Sequence, residues 1–286
     1  MTTRTAEESD KSPPALYGGI DVGSSFTKII FIDQNKEIRG HFVGYSGIDL
    51  RSAAKNGIDK ALPKNSSLDN VNRIVTSGYG RRNVHIPNVP SSIVTEISCA
   101  AKAAHHYFPD RTMTIVDIGG QDTKIIKTSN GKRDSFRLNR KCAAGTGAWL
   151  EEIALKLRIV PTDLNGLANK STNPERISSF CTVFGGTEIL TRIREGAKVE
   201  DMVRGAYYSI VKRVMEIDTL DNEVILVGGV VAHHPVIIEI FEEKIGRPIT
   251  VPNHPQAFVA LGAALYALEK IGEYQSMDSG AVEREA

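Results

Sequence analysis

The chain has 286 residues, 41% of them hydrophobic and 24% charged, so it is large enough for two modest globular domains. Its 35 basic and 34 acidic residues leave a net charge of +1, which gives no reason to expect nucleic acid as a partner. No apolar run approaches the roughly 20 residues of a membrane-spanning helix, and three cysteines exclude a disulfide framework. The polar start lacks the apolar core of a signal peptide, so we expect a cytoplasmic protein that contacts no membrane.

The first half alternates strands and helices after residues 1–15, which are expected to form a flexible tail. Apolar alternation, helical spacing and turn residues predict these elements. Strands are expected at 18–20, 28–32, 37–42 and 71–76, helices at 50–62 and 95–107, and a turn-rich loop at 77–82.

A ten-residue segment of the first half returns in the second. Asp21–Ile30 reappears as Asp117–Ile126, an offset of 117 − 21 = 96 residues, with Asp, Gly, Thr, Lys, Ile and Ile unchanged. An apolar approach precedes each copy and an apolar end follows it, which predicts a strand, a tight Asp-x-Gly turn and a second strand. The sequence therefore predicts two related β-hairpins, each with an acidic residue at its mouth.

The second half repeats this order of elements. A return strand with Phe136 and Leu138 is expected to follow the second hairpin. Helices are expected at 147–157, 187–195, 199–218 and 258–271, with strands at 224–231, which carries a diglycine, and at 249–251. The duplicated order predicts two related α/β domains around a cleft. These are residues 16–112, completed by a C-terminal helix at 256–272, and residues 113–255, with a flexible tail at 273–286.

Two hairpins that face each other would surround one cleft with amide-rich turns and carboxylates. Glycines let the backbone approach a polyphosphate closely, and amides and threonine hydroxyls donate to phosphate oxygens. The carboxylates would hold Mg²⁺, which keeps several waters beside substrate phosphates. The alternative is a hairpin motif reused by duplication without a ligand. The shared turn and polar residues favour the ligand site.

Two further glycine-rich segments suit a nucleotide. Gly228-Gly229 follows a buried strand, where the backbone can approach adenine or ribose, although such a pair is by itself more often a simple turn. Ala143–Gly147 precedes a helix, whose N-terminal amides and dipole suit an anion. The alternative there is a glycine-rich turn without a ligand. Walker and Rossmann motifs are absent from the sequence.

The cysteines suggest a second kind of site. Cys142 and Cys181 lie near expected helix starts, beside hydroxyl or glycine residues, where a thiolate is favoured. Two thiolates do not complete a four-cysteine iron–sulfur cluster, but a two-fold dimer would supply four across its axis. Buried structural thiols or a switchable disulfide are the alternatives. Cys99 lies in an alanine-rich helix and is expected to be a packing residue, and the histidines form no metal pattern.

Several short sequence motifs along the chain form one characteristic set. They are Gly19-Ile-Asp-Val-Gly-Ser24, Thr76-Ser-Gly-Tyr-Gly-Arg81, Val116-Asp-Ile-Gly-Gly-Gln-Asp-Thr-Lys124, Lys141-Cys-Ala-Ala-Gly-Thr-Gly147, Ser178-Ser-Phe-Cys-Thr-Val-Phe184, Val227-Gly-Gly-Val230 and Leu261-Gly-Ala-Ala-Leu265. With them the chain resembles, over roughly residues 17–270, the BadF/BadG/BcrA/BcrD family of ATPases, especially activators of 2-hydroxyacyl-CoA dehydratases. The hairpins alone would also suit sugar kinases, acetate kinases or the Hsp70 and actin group.

The resemblance implies an actin-like ATPase fold and a dimer bridged by one [4Fe-4S] cluster, with Cys142 and Cys181 as ligands. It implies that ATP hydrolysis drives a low-potential electron into a partner, either a 2-hydroxyacyl-CoA dehydratase or a benzoyl-CoA reductase. Ferredoxin or flavodoxin is the expected donor, and the dimer is a homodimer or a heterodimer with a paralogous subunit. The chain departs from the family at Phe184-Gly-Gly-Thr-Glu188, where activators tend to read Phe-Ala-Glu-Ser-Glu.

The expected site therefore holds ATP and Mg²⁺ between the hairpins. Asp21 and Asp117 are expected to hold the metal, and Gln121 or Asp122 to orient or activate the attacking water. Nucleotide contacts are expected from Gly23, Ser24, Ser25, Lys28, Gly119, Gly120, Gly145, Thr146, Gly147, Glu188, Gly228 and Gly229. The alternative functions are a small-molecule kinase of the same fold with structural cysteines, and a non-enzymatic nucleotide switch.

Overall fold

The computed structural model describes residues 14–130, 132–139, 143–178 and 182–269. Its first sheet contains β1 (Leu16–Val22), β2 (Phe26–Ile32), β3 (Ile38–Tyr45), β4 (Val71–Ser77) and β5 (Ser91–Ile93). The spatial order is β3-β2-β1-β4-β5, in which β2 is antiparallel to β1 and β3, and β4 is parallel to β1 and β5. The helices of this half are α1 (Leu50–Ala61) and α2 (Glu96–Tyr107).

The second sheet contains β6 (Met113–Ile118), β7 (Thr123–Ser129), β8 (Lys132–Asn139) and β9 (Glu223–Val227), in the order β8-β7-β6-β9. Its helices are α3 (Gly147–Leu157), α4 (Leu164–Ala168), α5 (Thr182–Arg194), α6 (Val199–Ile217), α7 (Gly229–His233), α8 (Val236–Ile245) and α9 (Phe258–Leu268). Strand β6 pairs with β7 antiparallel and with β9 parallel, as β1 pairs with β2 and β4. The duplicated α/β order predicted from the sequence is therefore present in the strand pairing.

Helices α2 and α9 lie between the two sheets. Ala260 and Ala264 of α9 share a buried cluster with Ile30 of the first sheet. Ala103 of α2 shares another buried cluster with Ile115 of the second sheet. The two central helices thus join the sheets through small apolar side chains, and burial of this surface stabilises the arrangement.

Close backbone contacts hold these helices together. A Cβ placed on Gly262 of α9 would lie 1.8 Å from the carbonyl oxygen of Cys99 in α2. A Cβ placed on Gly19 of β1 would lie 1.9 Å from the carbonyl oxygen of Ala260. Only glycine permits this approach at both positions. Cys99 is fully buried at the contact, as expected of a packing residue.

The starts of α1 and α2 are fixed by polar side chains. The Asp49 carboxylate accepts hydrogen bonds from the amides of Arg51 and Ser52 at the start of α1. The Thr95 hydroxyl accepts a hydrogen bond from the Ser98 amide at the start of α2. This cap makes the following residue, a glutamate, the first residue of α2.

Several element ends differ from the prediction. The strand expected at 224–231 ends at Val227, because Gly228 has a φ of 102° and α7 follows it. The segment expected as a strand at 249–251 contributes one bridge, between Ile225 and Thr250. Helix α5 begins at Thr182 instead of residue 187, and β3 continues to Tyr45. Helices α4 and α8 were not predicted.

The division into domains between residues 112 and 113 stays a prediction, as do the flexible tails, most of whose residues lie outside the described ranges. The C-terminal helix α9 ends at Leu268, because Glu269 has an extended backbone (φ −77°, ψ 127°), so it is shorter than the predicted helix, which extended past residue 270. Within the described ranges, every helix is too short or too polar to cross a membrane.

Candidate functional site

The two predicted turns line one cavity of about 410 Å³. In the first turn, the Gly23 amide donates to the carbonyl oxygen of Phe26 at 3.0 Å. In the second, the Gly119 amide donates to the carbonyl oxygen of Asp122 at 2.9 Å. These residues are again 96 positions apart, so the two copies share backbone geometry as well as sequence.

Each hairpin places an aspartate beside a lysine. Asp21 pairs with Lys28 across β1 and β2, and Asp117 pairs with Lys124 across β6 and β7. Directly opposite residues of antiparallel strands project from the same face, so their side chains meet. The Nζ of Lys28 lies 2.9 Å from Oδ2 of Asp21, and the Nζ of Lys124 lies 3.9 Å from Oδ2 of Asp117. The residues shared by the repeat therefore form two ion pairs at equivalent positions, of which the first is the closer.

A glycine lies against each aspartate on its other side. Gly78 follows β4 with a φ of 91°, and Gly228 follows β9 with a φ of 102°. A Cβ on Gly78 would lie 2.5 Å from Oδ1 of Asp21, and a Cβ on Gly228 would lie 2.6 Å from Oδ1 of Asp117. The duplication thus extends beyond the sequence repeat, because the parallel strand of each half ends in the same way.

The second hairpin carries more charge than the first. The Nζ of Lys124 lies 2.7 Å from Oδ1 of Asp122 and 2.9 Å from Oε2 of Glu96, the first residue of α2. One ammonium group therefore contacts Asp117, Asp122 and Glu96. This arrangement joins the second hairpin to the central helix by ion pairs that are largely shielded from water.

Burial and neighbouring charge set the protonation of these groups. Burial raises the pKa of Asp117 to about 6, although Lys124 opposes the shift. Burial also raises the pKa of Asp21, against the opposing charge of Lys28. For both lysines, burial alone would lower the pKa, but the surrounding carboxylates outweigh it and the pKa is raised. Lys28 and Lys124 are therefore cationic at neutral pH.

Most of the predicted site residues line this cavity: Asp21, Gly23, Ser24, Ser25, Lys28, Asp117, Gly119, Gly120, Gln121, Asp122, Gly228 and Gly229. The cavity also contains polar residues that had no predicted role: Tyr79, Arg81, Glu96, Lys124 and Gln256. Lys124 could have been predicted as a site residue from the sequence, because it repeats Lys28 at the common offset. Arg81 closes a motif string, and Glu96 follows a threonine suited to cap a helix.

The segment Gly145–Gly147 lies behind the second turn and does not line the cavity. The Gly147 amide donates to the carbonyl oxygen of Gly119 at 2.9 Å, and the Ala148 amide donates to that of Gly120 at 2.8 Å. These two amides at the start of α3 are thereby used within the protein, which corrects the expectation that they serve an anion. The residues brace the turn, and their direct contact with a nucleotide stays a prediction.

Glu188 also lies away from the cavity lining. Its Oε2 accepts a hydrogen bond from the Ser178 amide at 2.6 Å, which ties α5 to the segment preceding residues 179–181. Its predicted contact with a nucleotide stays a prediction.

Cys142 and Cys181 lie outside the described residues. Ala143 and Thr182, their described neighbours, flank the ends of two gaps. Within the ranges that are described, no three His, Cys, Asp or Glu side chains form a metal-binding group. The cavity nevertheless fits Mg²⁺ bound with phosphates, because that ion commonly uses one or two protein carboxylates together with phosphate oxygens and waters.

Comparison with known proteins gives consistent similarities. Residues 19–267 match the sequence model of the BadF/BadG/BcrA/BcrD ATPase family. The chain is 34% identical over 262 residues to the 2-hydroxyisocaproyl-CoA dehydratase activator of Clostridioides difficile, with 90% of this chain and 96% of the relative covered.

Solved structures of similar proteins agree with the fold. Component A of the Acidaminococcus fermentans (R)-2-hydroxyglutaryl-CoA dehydratase has a TM-score of 0.81 at 33% identity, covering 88% of this chain and 97% of that one. The Clostridium difficile activator of 2-hydroxyisocaproyl-CoA dehydratase, with bound ADPNP, has a TM-score of 0.77 at 33% identity, covering 88% and 94%. The predicted actin-like ATPase fold is confirmed.

Proposed function

Because the chain belongs to the BadF/BadG/BcrA/BcrD ATPase family, we propose that it is an ATP-hydrolysing activator that delivers a low-potential electron to a partner iron–sulfur acyl-CoA dehydratase. The observation that carries this proposal is the duplicated pair of Asp–Lys hairpins, whose glycine turns line one cavity. ADPNP in a relative of the same fold supports ATP as the ligand. Relatives at 34% and 33% identity are a dehydratase activator and component A of a dehydratase, which favours a dehydratase over a benzoyl-CoA reductase as partner.

The turns suit the polyphosphate of ATP bound with Mg²⁺. Asp21 and Asp117 would hold the hydrated metal, since both carboxylates line the cavity and are buried. Gly23, Ser24 and Ser25 of the first turn and Gly119 and Gly120 of the second line the space for phosphate oxygens. Gly228 and Gly229 would face the adenosine part of the nucleotide.

Gln121 is the better placed of the two residues predicted to act on the attacking water. Asp122 is held by Lys124 at 2.7 Å, whereas the exposed Gln121 side chain lines the cavity and makes no hydrogen bond within the described part of the chain. An uncommitted amide can accept from a water and donate to a phosphate oxygen. We therefore propose that Gln121 positions the attacking water. Asp122 instead has the role of holding Lys124 in place.

Cys142 and Cys181 are the proposed ligands of a [4Fe-4S] cluster shared across a dimer. The third cysteine, Cys99, is fully buried in the central helices, where it cannot reach a second subunit. When bound, the cluster would supply a one-electron redox centre. Ferredoxin or flavodoxin is the proposed donor. The second subunit is proposed to be a copy of this chain or a paralogue.

A short hydrogen-bonded path connects the nucleotide turn to the segment after Cys142. Gly119 and Gly120 accept hydrogen bonds from Gly147 and Ala148, only five and six positions beyond that cysteine. The Thr123 hydroxyl also donates to the carbonyl oxygen of Gly145 at 2.5 Å. A shift of the second turn on phosphate release would therefore move this segment, which is the proposed link between hydrolysis and electron delivery.

The cluster assignment is tested with Cys142→Ser and the matched control Cys99→Ser, both purified without oxygen and reconstituted with iron and sulfide. Cys142→Ser should lose the iron–sulfur absorbance and keep ATP affinity within about threefold, whereas Cys99→Ser should keep both. A full cluster in Cys142→Ser would refute the ligand assignment.

The nucleotide assignment is tested with Asp117→Ala and, as a control, the exposed Asp59→Ala in α1. Asp117→Ala should abolish ATPase activity with the cluster intact, and Asp59→Ala should be unaffected. Oxygen-free purification separates the alternatives, because a brown dimer with about four irons supports the activator. A colourless monomer that phosphorylates a metabolite would support the kinase, which the named relatives do not favour.

A further inference from the structure

Arg81 lines the nucleotide cavity on the side of the first sheet, in the loop that follows β4. Its Nη1 donates to the carbonyl oxygen of Gly78 at 2.9 Å. Gly78 is the residue on which a Cβ would lie 2.5 Å from Oδ1 of Asp21. One backbone hydrogen bond therefore holds the guanidinium near the first aspartate, and most of its five N–H donors have no acceptor among the described residues.

The charges in the cavity distinguish Arg81 from the two lysines. Lys28 is paired with Asp21, and Lys124 is paired with three carboxylates. Within the described ranges, Arg81 forms no ion pair, and its guanidinium donates to a neutral carbonyl oxygen. Among the cationic residues that line this cavity, Arg81 is therefore the one whose charge is not paired with a carboxylate in the described ranges. Its charge is available to a ligand.

In the internal duplication, only the first half has an arginine after the glycine that ends the parallel strand. Gly78 and Gly228 are equivalent, and three positions beyond them the chain has Arg81 in the first half and Val231 in the second. Val231 is 2% exposed and packs in the core, where it continues α7. The second half therefore forms the same strand end and glycine contact with an apolar residue at this place. The presence of Arg81 in the first half is therefore not explained by the strand end and calls for a role of its own.

We propose that Arg81 is a catalytic residue that contacts the transferring γ-phosphoryl group; this rests on the proposed ATPase function. The attacking water oxygen bonds to the γ-phosphorus while the bond from that phosphorus to the β–γ bridging oxygen breaks. The electron pair leaves with ADP, and the water proton passes to the released phosphate. Negative charge grows on the bridging and γ oxygens in the transition state, and a planar guanidinium can donate to two of them at once.

The test compares Arg81→Ala and Arg81→Lys with Arg82→Ala, a neighbouring exposed arginine outside the cavity lining. We expect Arg81→Ala to lower the single-turnover rate of ATP hydrolysis about 100-fold or more, with ADP affinity within about threefold of wild type. Arg81→Lys should recover a minor part of the rate, and added guanidinium should partly rescue Arg81→Ala. Arg82→Ala should match wild type throughout.

A second readout is independent of turnover. Wild type and Arg82→Ala should trap ADP with aluminium fluoride, a mimic of the transferring phosphoryl group, and Arg81→Ala should release it rapidly. If Arg81→Ala hydrolyses ATP and traps ADP as wild type does, the role of Arg81 is overturned while the ATPase proposal stands. If ATP and ADP affinities fall together with the rate constant unchanged, Arg81 acts in ground-state binding and the proposal is likewise overturned. A wild-type protein that neither hydrolyses ATP nor traps ADP overturns both proposals.

Discussion

The side chain of Ser25 in the first turn lies directly opposite the backbone of Gly120 in the second. A Cβ placed on Gly120 would lie 2.9 Å from the Ser25 hydroxyl oxygen and 3.5 Å from its Cβ. The two turns therefore meet at one hydroxymethyl group and one glycine. Any side chain at position 120 would enter the space in which phosphate oxygens are proposed to bind.

Gly120→Ala should weaken ATP binding about tenfold or more, because the added methyl group displaces the Ser25 hydroxyl and occupies space in which phosphate oxygens are proposed to bind. The thermal stability should change little, since the Ser25 hydroxyl can rotate away. Equilibrium binding of a fluorescent ATP analogue measures the effect. Gly166→Ala is the control, because a Cβ at Gly166 meets no atom within 4 Å. Equal ATP affinity in both variants would contradict contact of the second turn with phosphate.

Gly228→Ala should destabilise the fold by about 3 kcal/mol and weaken nucleotide binding. The residue has a φ of 102°, and its Cβ would lie 2.4 Å from the carbonyl oxygen of Ile118. Gly246→Ala separates the two causes, because Gly246 has a φ of 74° at the end of α8 but no atom within 4 Å of its Cβ. That control should cost about 1 kcal/mol from backbone strain alone. Chemical denaturation of the two variants gives the comparison, and equal losses would exclude a specific role for the contact.

Asp117→Asn should raise the free energy of unfolding at neutral pH while it abolishes ATPase activity. The folded pKa of about 6 exceeds the usual 3.8 because burial disfavours the charged form, so an ionised Asp117 destabilises the folded state. The difference of 6 − 3.8 = 2.2 units corresponds to roughly 3 kcal/mol at most. Lys124 would keep Asp122 and Glu96 as partners in the variant.

The sign of this effect gives a pH test. The destabilisation by Asp117 is absent below pH 3.8, grows as the pH rises toward about 6 and is constant above that value. The stabilisation of Asp117→Asn over wild type should therefore be about twice as large at pH 7.5 as at pH 5. Thermal unfolding at both pH values measures it, with Asp59→Asn as the exposed control. A stabilisation that does not vary with pH would show that charge burial is not its cause.

The two hairpins could be predicted from the sequence because residues close together along the chain determine them. Asp21 and Lys28 are brought together by a short turn and a two-residue side-chain period, and the second copy repeated both conditions. The end of β9 at Gly228 was harder to predict, because the valines after this glycine continue an apolar pattern and only its positive φ ends the strand. A pattern of hydrophobicity contains no signal for that change of backbone direction.

Glu96 and Arg81 were not predicted because long-range connections bring them to the cavity. Arg81 follows a strand that pairs in parallel with β1 from a distant part of the chain, and Glu96 begins a helix that packs between the sheets. Side-chain periodicity does not determine which strands become parallel neighbours. The bracing of the second turn by the Gly147 amide was missed for a related reason, since this amide meets a backbone carbonyl of a sequence-distant turn.

The departure from the family pattern at Gly185 has a packing explanation. A Cβ on Gly185 would lie 2.5 Å from Cη2 of Trp149, the sole tryptophan, whose ring is buried and donates from Nε1 to the Ser209 hydroxyl at 3.0 Å. The indole occupies the space that an alanine at 185 would need. At Gly186, the nearest atom to a Cβ is Cε of Lys156 at 2.4 Å, which belongs to a flexible side chain that can move.

Gly185→Ala should therefore destabilise the protein by about 1 to 3 kcal/mol through overpacking against Trp149. In a Trp149→Phe background the same substitution should be close to neutral, because the smaller ring leaves room for the methyl group. Gly186→Ala is the control and should be neutral or slightly stabilising, since alanine favours a helix and Lys156 can shift. Urea unfolding followed by circular dichroism gives the double-mutant cycle. Additive effects of Gly185→Ala and Trp149→Phe would rule out the indole as the reason for glycine at this position.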